Sequence, residues 1–267
     1  MIALDELRRI AGRLGLGLAQ AEHEYVLLCA LDGLSQTPSL RDAFALKGGT
    51  ALRQLYFADW RHSVDLDFSV APGFPAETLR ARLLQWFAQV EALHGVALTL
   101  LDLHRPNGAA RVRARFVGPL AHPNRLLLDI TLDEALLLPW ERRPVVTALF
   151  DRPTPQVLCY SLDEILAEKL RAILQRGKAR DYYDVWCLLK EKRNGFDPKM
   201  VRTTLEAKCA HRDLPQPRVA DFVRADALAL AEAYWTNDLA EQLEPGRLPA
   251  WDQVIIELAS LLADLLA

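Results

Sequence analysis

The spacing of apolar residues changes once along this chain, near residue 161, and that change limits the folds open to it. Before this point, short segments with every second residue apolar alternate with segments at helical spacing, which predicts strands and helices packed in layers. After it, the spacing is helical almost to the end. We therefore predict an α/β (α+β) fold, with a mixed sheet and helices in residues 1–155 and a helical domain in residues 156–267. The proline-bearing segment 151–155 is the predicted boundary.

Turn and cap residues divide the chain into elements. Gly48 and Gly49 predict a tight turn between a strand and a helix, and Asn107–Gly108 is typical of a hairpin turn. Ser161 and Glu164 form a capping-box pattern at the start of a helix. About five strands are predicted, at 44–47, 64–70, 96–103, 109–117 and 125–132, with one or two helices before residue 40 and others at 50–57, 76–93, 161–175, 178–190 and within 219–266.

Composition indicates a globular cytoplasmic protein. Of its 267 residues, 51% are hydrophobic, which is enough for a sizeable buried core. No secretory signal and no run of about 18 apolar residues occurs, so we expect no membrane association. The four cysteines lack paired spacing and are predicted to be reduced, and the six histidines form no zinc pattern. A net charge of −3 argues against coating nucleic acid by overall charge, but it allows local basic surfaces.

Two aspartates form the most informative pattern of the sequence. In the strand 64–70, Asp65 and Asp67 are two positions apart, so both side chains are predicted on one face while Leu66 and Phe68 lie on the other. Neighbouring carboxylates repel each other, and a hard divalent cation with oxygen ligands would neutralise them. Magnesium fits best and manganese second. The alternative is an exposed strand whose acidic face lies in water.

The residues around the aspartates favour a nucleotide. The turn Gly48–Gly49 at the start of a helix offers backbone N–H groups and the positive end of the helix dipole to a triphosphate, with the Thr50 hydroxyl beside them. Arg61 and Ser63 precede the aspartates and are expected to contact the same phosphates.

A third carboxylate is expected, because two-metal catalysis places cations about 3.5–4 Å apart. Asp129 is the predicted third metal ligand, since an aspartate within the apolar run 126–132 would be costly unless it is functional or paired. Asp133 and Glu134 fit less well because they lie where that strand ends.

Several segments, in this order, resemble the AbiEii and MenT group of nucleotidyltransferase toxins, in the DNA polymerase β-like superfamily. The resemblance covers about residues 40–190. It rests on Lys47-Gly-Gly-Thr-Ala-Leu, Arg61-His-Ser-Val-Asp-Leu-Asp-Phe, Lys169-Leu-Arg-Ala and Arg180-Asp-Tyr-Tyr-Asp. It implies a polymerase β-like mixed sheet with Asp65 and Asp67 as catalytic metal ligands. It also implies that an Asp-x5-Lys motif, Asp163 to Lys169, and the following Asp181 complete the active site.

The activity implied by the resemblance is metal-dependent transfer of a nucleoside monophosphate from an NTP to a hydroxyl, at least in some members at the 3′ end of tRNA. The protein would then be a toxin with a cognate antitoxin. Lys169 could reach the triphosphate, while Asp181 could orient that lysine or act as a base. Whether Asp129 or Asp181 completes the carboxylate set stays open. So does the alternative that Lys169 and Asp181 form a surface ion pair.

Other functions also remain open at this point. The protein could bind a nucleotide as an interaction module without turnover, or it could modify a protein or a small molecule. Two basic segments, 105–115 and 169–180, are either solvated faces or RNA-facing surfaces.

Overall fold

The computed structural model of the chain describes residues 1–146, 154–244 and 246–267. The chain divides into two compact units: Met1–Glu134 with Trp140–Cys159, and Ala135–Pro139 with Tyr160–Ala267. Residues 151–153 of the predicted boundary segment lie outside the described residues. No helix in the described ranges is long and apolar enough to cross a membrane.

The first unit contains a seven-stranded mixed sheet with helices. Its elements are α1 (Leu4–Leu14), α2 (Leu18–Ser35), β1 (Phe44–Lys47), α3 (Gly48–Ala51), β2 (Asp65–Val70), α4 (Leu79–His94), β3 (Ala97–His104), β4 (Ala109–Val117), β5 (Pro123–Thr131), β6 (Glu141–Pro144) and β7 (Gln156–Cys159). The strand order is β3-β4-β5-β2-β1-β7-β6. Strand β2 is parallel to β5 and β1 is parallel to β7, and the other pairs are antiparallel.

The sheet has one apolar face, as the strand alternation predicts. Leu66 and Phe68 of β2 are 0% exposed. Helix α4 packs against them through Trp86, whose ring meets that of Phe68 edge-on at 5.9 Å. The indole N–H of Trp86 donates to the carbonyl of Ala30 in α2 at 2.8 Å, which ties the two helices together. The opposite face of β2, with Asp65 and Asp67, is therefore left for polar chemistry.

The prediction of about five strands was wrong, because β6 and β7 also belong to the sheet. Both have four residues. Strand β6 reads Glu-Arg-Arg-Pro and lies at the sheet edge, where charge and proline are tolerated and the apolar alternation that signals a strand is absent. Strand β7 is too short for its pattern to stand out. The mixed character of the sheet is as predicted.

The helix after β1 begins two residues earlier than predicted, at Gly48 instead of Thr50. Gly48 has φ +71°, which a glycine adopts without strain, so the turn and the first helical residue coincide. After Ala51 the helix continues as a π-helical turn, Leu52–Tyr56. Phe57 N–H closes this turn by donating to the carbonyl of Leu52 at 2.7 Å.

The second unit is helical, as predicted. Its helices of four or more residues are α5 (Leu162–Arg176), α6 (Ala179–Glu191), α7 (Pro198–His211), α8 (Val219–Phe222), α9 (Ala225–Ala233) and α10 (Trp251–Leu266), with a π-helical turn at Trp235–Leu239. The Ser161 hydroxyl accepts the N–H of Glu164, as a capping box requires. In a full capping box the Glu164 carboxylate would also accept the N–H of Ser161. Here it lies 3.0 Å from the Lys208 ammonium of α7, and both side chains are 0% exposed. All four cysteines are free, as predicted, and all four are buried.

Candidate active site

The aspartate pair lies where the alternation places it. Asp65 and Asp67 are half-buried on the polar face of β2. The Thr50 hydroxyl donates to the backbone carbonyl of Asp65 at 2.5 Å, and Lys47 of β1 is the register partner of Asp67. The start of the helix after β1 and the start of β2 are thus held side by side.

The glycine turn lies directly against the aspartate and the phosphate-binding candidates. A Cβ on Gly48 would overlap the Oδ2 carboxylate oxygen of Asp67. A Cβ on Gly49 would come within 2.9 Å of Arg61 Nη2 and 3.0 Å of Ser63 Oγ. The structure therefore brings together Gly48, Gly49, Asp67, Arg61 and Ser63, which the sequence had placed in two separate segments.

Thr50 has a different place from the one expected. Its side chain is fully buried, and its hydroxyl is engaged with the carbonyl of Asp65. It therefore holds β2 against the helix start and does not present its hydroxyl to an open site.

Asp129 lies beside the pair, but the expectation that burial makes this aspartate costly was wrong. It is the register partner of Asp67 across β2 and β5 and faces the same side. Its side chain is 61% exposed and lies 3.8 Å from the Arg111 guanidinium. Strand β5 thus has one solvent face, and its aspartate carries no burial penalty.

An open cleft of about 450 Å³ covers this part of the sheet. Residues of β2, β3, β4 and β5 line it, including Asp65, Asp129 and Arg111. The side chain of Arg111 is 72% exposed. The cleft is thus open to solvent and has both carboxylates and guanidinium groups along its lining.

A buried network that the sequence reading missed supports the segment with Arg61 and Ser63. Glu24 of α2 is 3% exposed and accepts from Arg53 at 2.8 Å and from Gln54 at 2.7 Å through the same carboxylate oxygen. Arg53 also donates to the carbonyl of Trp60, next to Arg61. Burial alone would raise the pKa of Glu24, but His62 and Arg53 lower it to about 2. A buried glutamate within the apolar segment 21–34 was the available signal.

A second buried ion pair lies on the same side of the sheet as the aspartates. The Lys47 ammonium is 3.7 Å from the Glu134 carboxylate, with side-chain exposures of 7% and 3%. Glu134, considered above as a weak candidate ligand, is therefore paired with a cation next to β2.

In the second unit, Lys169 and Asp181 meet in a buried cluster. The Lys169 ammonium lies 2.7 Å from Asp184 and 3.5 Å from Asp181, and Arg176 Nε donates to Asp181 at 2.9 Å. Both carboxylates are 0% exposed. Burial opposes ionisation of Asp181, but Lys169 and Arg176 hold its pKa below the ordinary value. The surface ion pair considered above is therefore wrong, because the pair is buried.

Asp184 is the member of this cluster that the sequence reading missed. It is three residues after Asp181 on α6, and that spacing places two carboxylates on one helical face. Asp163, the first residue of the Asp-x5-Lys motif, is engaged elsewhere, since its carboxylate accepts the N–H of Asp197 at 2.7 Å. Lys169 and Arg171 are buried, so the segment 169–180 is not a uniformly solvated face.

The aspartate pair fits a divalent cation. No group of three or more His, Cys, Asp or Glu side chains placed to hold a metal occurs in residues 1–146, 154–244 and 246–267, so Asp129 does not form such a group with the pair. Magnesium is commonly held by one or two carboxylates together with substrate phosphates. Asp65 and Asp67, beside a turn that leaves no room for a side chain, meet that description.

Comparison with known proteins identifies the family and the fold. The sequence model of the family described as "Nucleotidyl transferase AbiEii toxin, Type IV TA system" matches residues 30–257. Among solved structures, the fold is similar to MenT4, a nucleotidyltransferase toxin from Mycobacterium tuberculosis, with TM-score 0.71 and 20% sequence identity over 99% of this chain and 90% of that chain. A search of curated proteins found no match. The chain belongs to the AbiEii family of nucleotidyltransferase toxins of type IV toxin–antitoxin systems.

Proposed function

We propose that this nucleotidyltransferase transfers a nucleoside monophosphate from an NTP to the 3′ hydroxyl of tRNA. The family implies an NTP as substrate and an antitoxin as counterpart. The observation that supports the site assignment is the close approach of the Gly48–Gly49 backbone to Asp67, Arg61 and Ser63, which gathers the phosphate-binding candidates beside a proposed metal ligand.

The candidate site residues of the first unit have the following roles in this proposal. The backbone at Gly48 and Gly49 binds the triphosphate, and Arg61 and Ser63 donate hydrogen bonds to it. Asp65 and Asp67 hold Mg²⁺ or Mn²⁺, which would neutralise charge on the phosphates. Thr50 keeps Asp65 in place through its carbonyl.

The reaction is an in-line displacement. The acceptor hydroxyl oxygen forms a bond to the α-phosphorus, the bond from that phosphorus to the bridging oxygen of pyrophosphate breaks, and the hydroxyl proton passes to a carboxylate. Asp129 suits the proton transfer, because it is exposed next to Asp67. Asp181 suits it less well, because it is buried and bound to two cations. In this proposal Asp181 orients Lys169, which in turn stabilises negative charge during transfer.

Labelling tests the proposal. Each NTP, labelled at the α-phosphate, is incubated with the protein and either total tRNA or total cell protein. We expect label in the tRNA with the wild-type chain and none with Asp67→Ala. Asp5→Ala is the matched control, because Asp5 is an aspartate with an 83% exposed side chain on α1 and should leave transfer intact. Label that appears only in protein would contradict the tRNA assignment.

A further inference from the structure

Two arginines stand directly opposite each other on the open face of the sheet. Arg115 of β4 and Arg125 of β5 are register partners, and both are exposed. Side chains at such positions begin about 5 Å apart, where two like charges destabilise a sheet. The fold therefore keeps an unfavourable juxtaposition at a position that many neutral residues could occupy.

The neighbouring arginines of β4 differ in one respect. Arg113 lies 2.9 Å from Asp102, and Arg111 lies 3.8 Å from Asp129. Within residues 1–146, 154–244 and 246–267, neither Arg115 nor Arg125 forms an ion pair. These two guanidinium groups thus present two positive charges that no described carboxylate pairs with.

The arginine pair faces the same side as the candidate active site. Asp129 is the register partner of Asp67 on one side and of Arg111 on the other, so the three residues form one row across the sheet. The pair lies four positions farther along β4, which is about 14 Å at 3.4 Å per residue. Between the two rows lies Leu127, an apolar side chain that is 42% exposed. One continuous face thus has the carboxylates at one end, Leu127 opposite Arg113 in the middle, and two cations at the other end.

We propose that Arg115 and Arg125 bind the phosphate backbone of a single-stranded nucleic acid whose terminal hydroxyl lies at Asp65 and Asp67. This inference rests on the proposed function and adds the course of the acceptor strand across the sheet. Planar guanidinium groups bind phosphate oxygens through paired hydrogen bonds, and the distance of about 14 Å spans a few nucleotides. Leu127 offers apolar contact to a base or sugar between the two charged rows.

Salt-dependent binding tests the inference. The probe is a fluorescent single-stranded RNA of about ten nucleotides, within the range of common single-strand sites, and no NTP is added. The test variant is Arg115→Gln/Arg125→Gln. The matched control is Arg13→Gln/Arg80→Gln, which removes the same charge from two exposed positions on α1 and α4. Thermal unfolding should show that the test variant folds, because its substitutions relieve a like-charge contact.

We expect the test variant to bind RNA at least about ten times more weakly at low salt. The slope of log K against log salt should fall in magnitude by about 1.4, which is about 0.7 for each lost phosphate contact of a single strand. The control variant should keep the wild-type slope. Single-stranded DNA of the same sequence should show the same difference between variants, because phosphate contacts do not depend on the 2′ hydroxyl.

An unchanged slope in the test variant would overturn the inference. Because binding is measured without NTP, these results are independent of catalysis. If the slope does not change but the wild-type chain still transfers label to tRNA, the inference fails and the proposed function stands. If the slope changes but the wild-type chain transfers no label, only the proposed function is contradicted.

Discussion

Gly48 is constrained in two independent ways. Its φ of +71° belongs to the left-handed region, which costs residues with a Cβ about 1–2 kcal/mol. Its Hα side also faces Asp67, so an added methyl group would push the carboxylate away. The first constraint concerns stability, and the second concerns the position of a proposed metal ligand. Gly73 shares the first constraint without the second, because it has φ +77° and open space around it.

We predict that Gly48→Ala and Gly73→Ala lose comparable backbone stability, about 1–2 kcal/mol each, but differ in activity. Gly48→Ala should lose nucleotidyl transfer by at least about 100-fold, the effect of small displacements of reacting groups. Gly73→Ala should retain transfer near the wild-type rate. Urea unfolding and the α-phosphate labelling assay measure the two effects. Full transfer by Gly48→Ala would show that Asp67 does not depend on the turn.

At this scale the sequence predicts backbone-determined features best. Alternation along β2 placed Asp65 and Asp67 correctly, since side-chain direction in a strand has a period of two. It could not place the Thr50 hydroxyl, whose partner Asp65 is 15 positions away. It could not find the network of Glu24 either, because a glutamate within an apolar helical segment indicates burial but does not identify its partners.

The segment between the π-helical turn and β2 depends on α2 for its support. It contains Arg61 and Ser63, and the described structure assigns no helix or strand between Tyr56 and Asp65. Glu24 binds Arg53 and Gln54 of the π-helical turn, and Arg53 donates onward to the carbonyl of Trp60. Such turns occur often at functional sites. The phosphate-binding candidates are thus held by a carboxylate from another element.

We predict that Glu24 makes the protein sensitive to acid. The pKa of Glu24 is about 2 in the folded chain against an ordinary 4.5. Because the folded-state pKa is lowered, ionised Glu24 stabilises the fold above pH 4.5, and that contribution is lost as the pH falls from 4.5 towards 2. A shift of this size corresponds to about 3 kcal/mol. Urea unfolding between pH 7 and pH 3 should show about 2 kcal/mol of this loss, because pH 3 is still above the folded-state pKa.

Glu24→Gln provides the comparison. Its stability should vary less over the same acid range, because the titrating group is gone. At pH 7 it should be less stable than wild type by about 3–5 kcal/mol, since Arg53 stays buried without its carboxylate. Glu77→Gln, at an exposed position before α4, should behave as wild type. If Glu24→Gln and wild type lose stability in parallel below pH 4.5, the network does not carry the acid sensitivity.

Elements with strong local signals were predictable, and the two short strands were not. Helix α5 ends at Gly177, whose φ of +53° matches its role as the cap, and the Asn107–Gly108 turn does join β3 to β4. Strand β7 instead exists because β1 and β6 pair with it on either side. It is a strand because of hydrogen bonds to distant segments, and the sequence of four residues alone does not predict them.

The residues proposed for transfer come from both compact units. Asp65, Asp67 and the glycine turn belong to the first, and Lys169 and Asp181 to the second. Lys169 is a buried cation between two carboxylates, and such a residue can contribute to the stability of the fold without taking part in catalysis. Lys169→Met would leave two buried negative charges against one, so its loss of activity could reflect unfolding. The charge-balanced variant Lys169→Met/Asp184→Asn removes one charge of each sign and leaves the Arg176–Asp181 pair intact.

We predict that this charge-balanced variant unfolds at nearly the wild-type urea concentration but transfers label at least about 100-fold more slowly, the scale expected for loss of one charge-stabilising group. Combining it with Asp67→Asn should slow transfer little beyond the slower of the two parents, because groups that act in one step are strongly non-additive. If Lys169 only stabilises its own unit, the charge-balanced variant should keep wild-type transfer. If it contributes to a separate step, the two losses should multiply. A combined rate equal to that of the slower parent is therefore the result that assigns both sets of residues to the same transfer step.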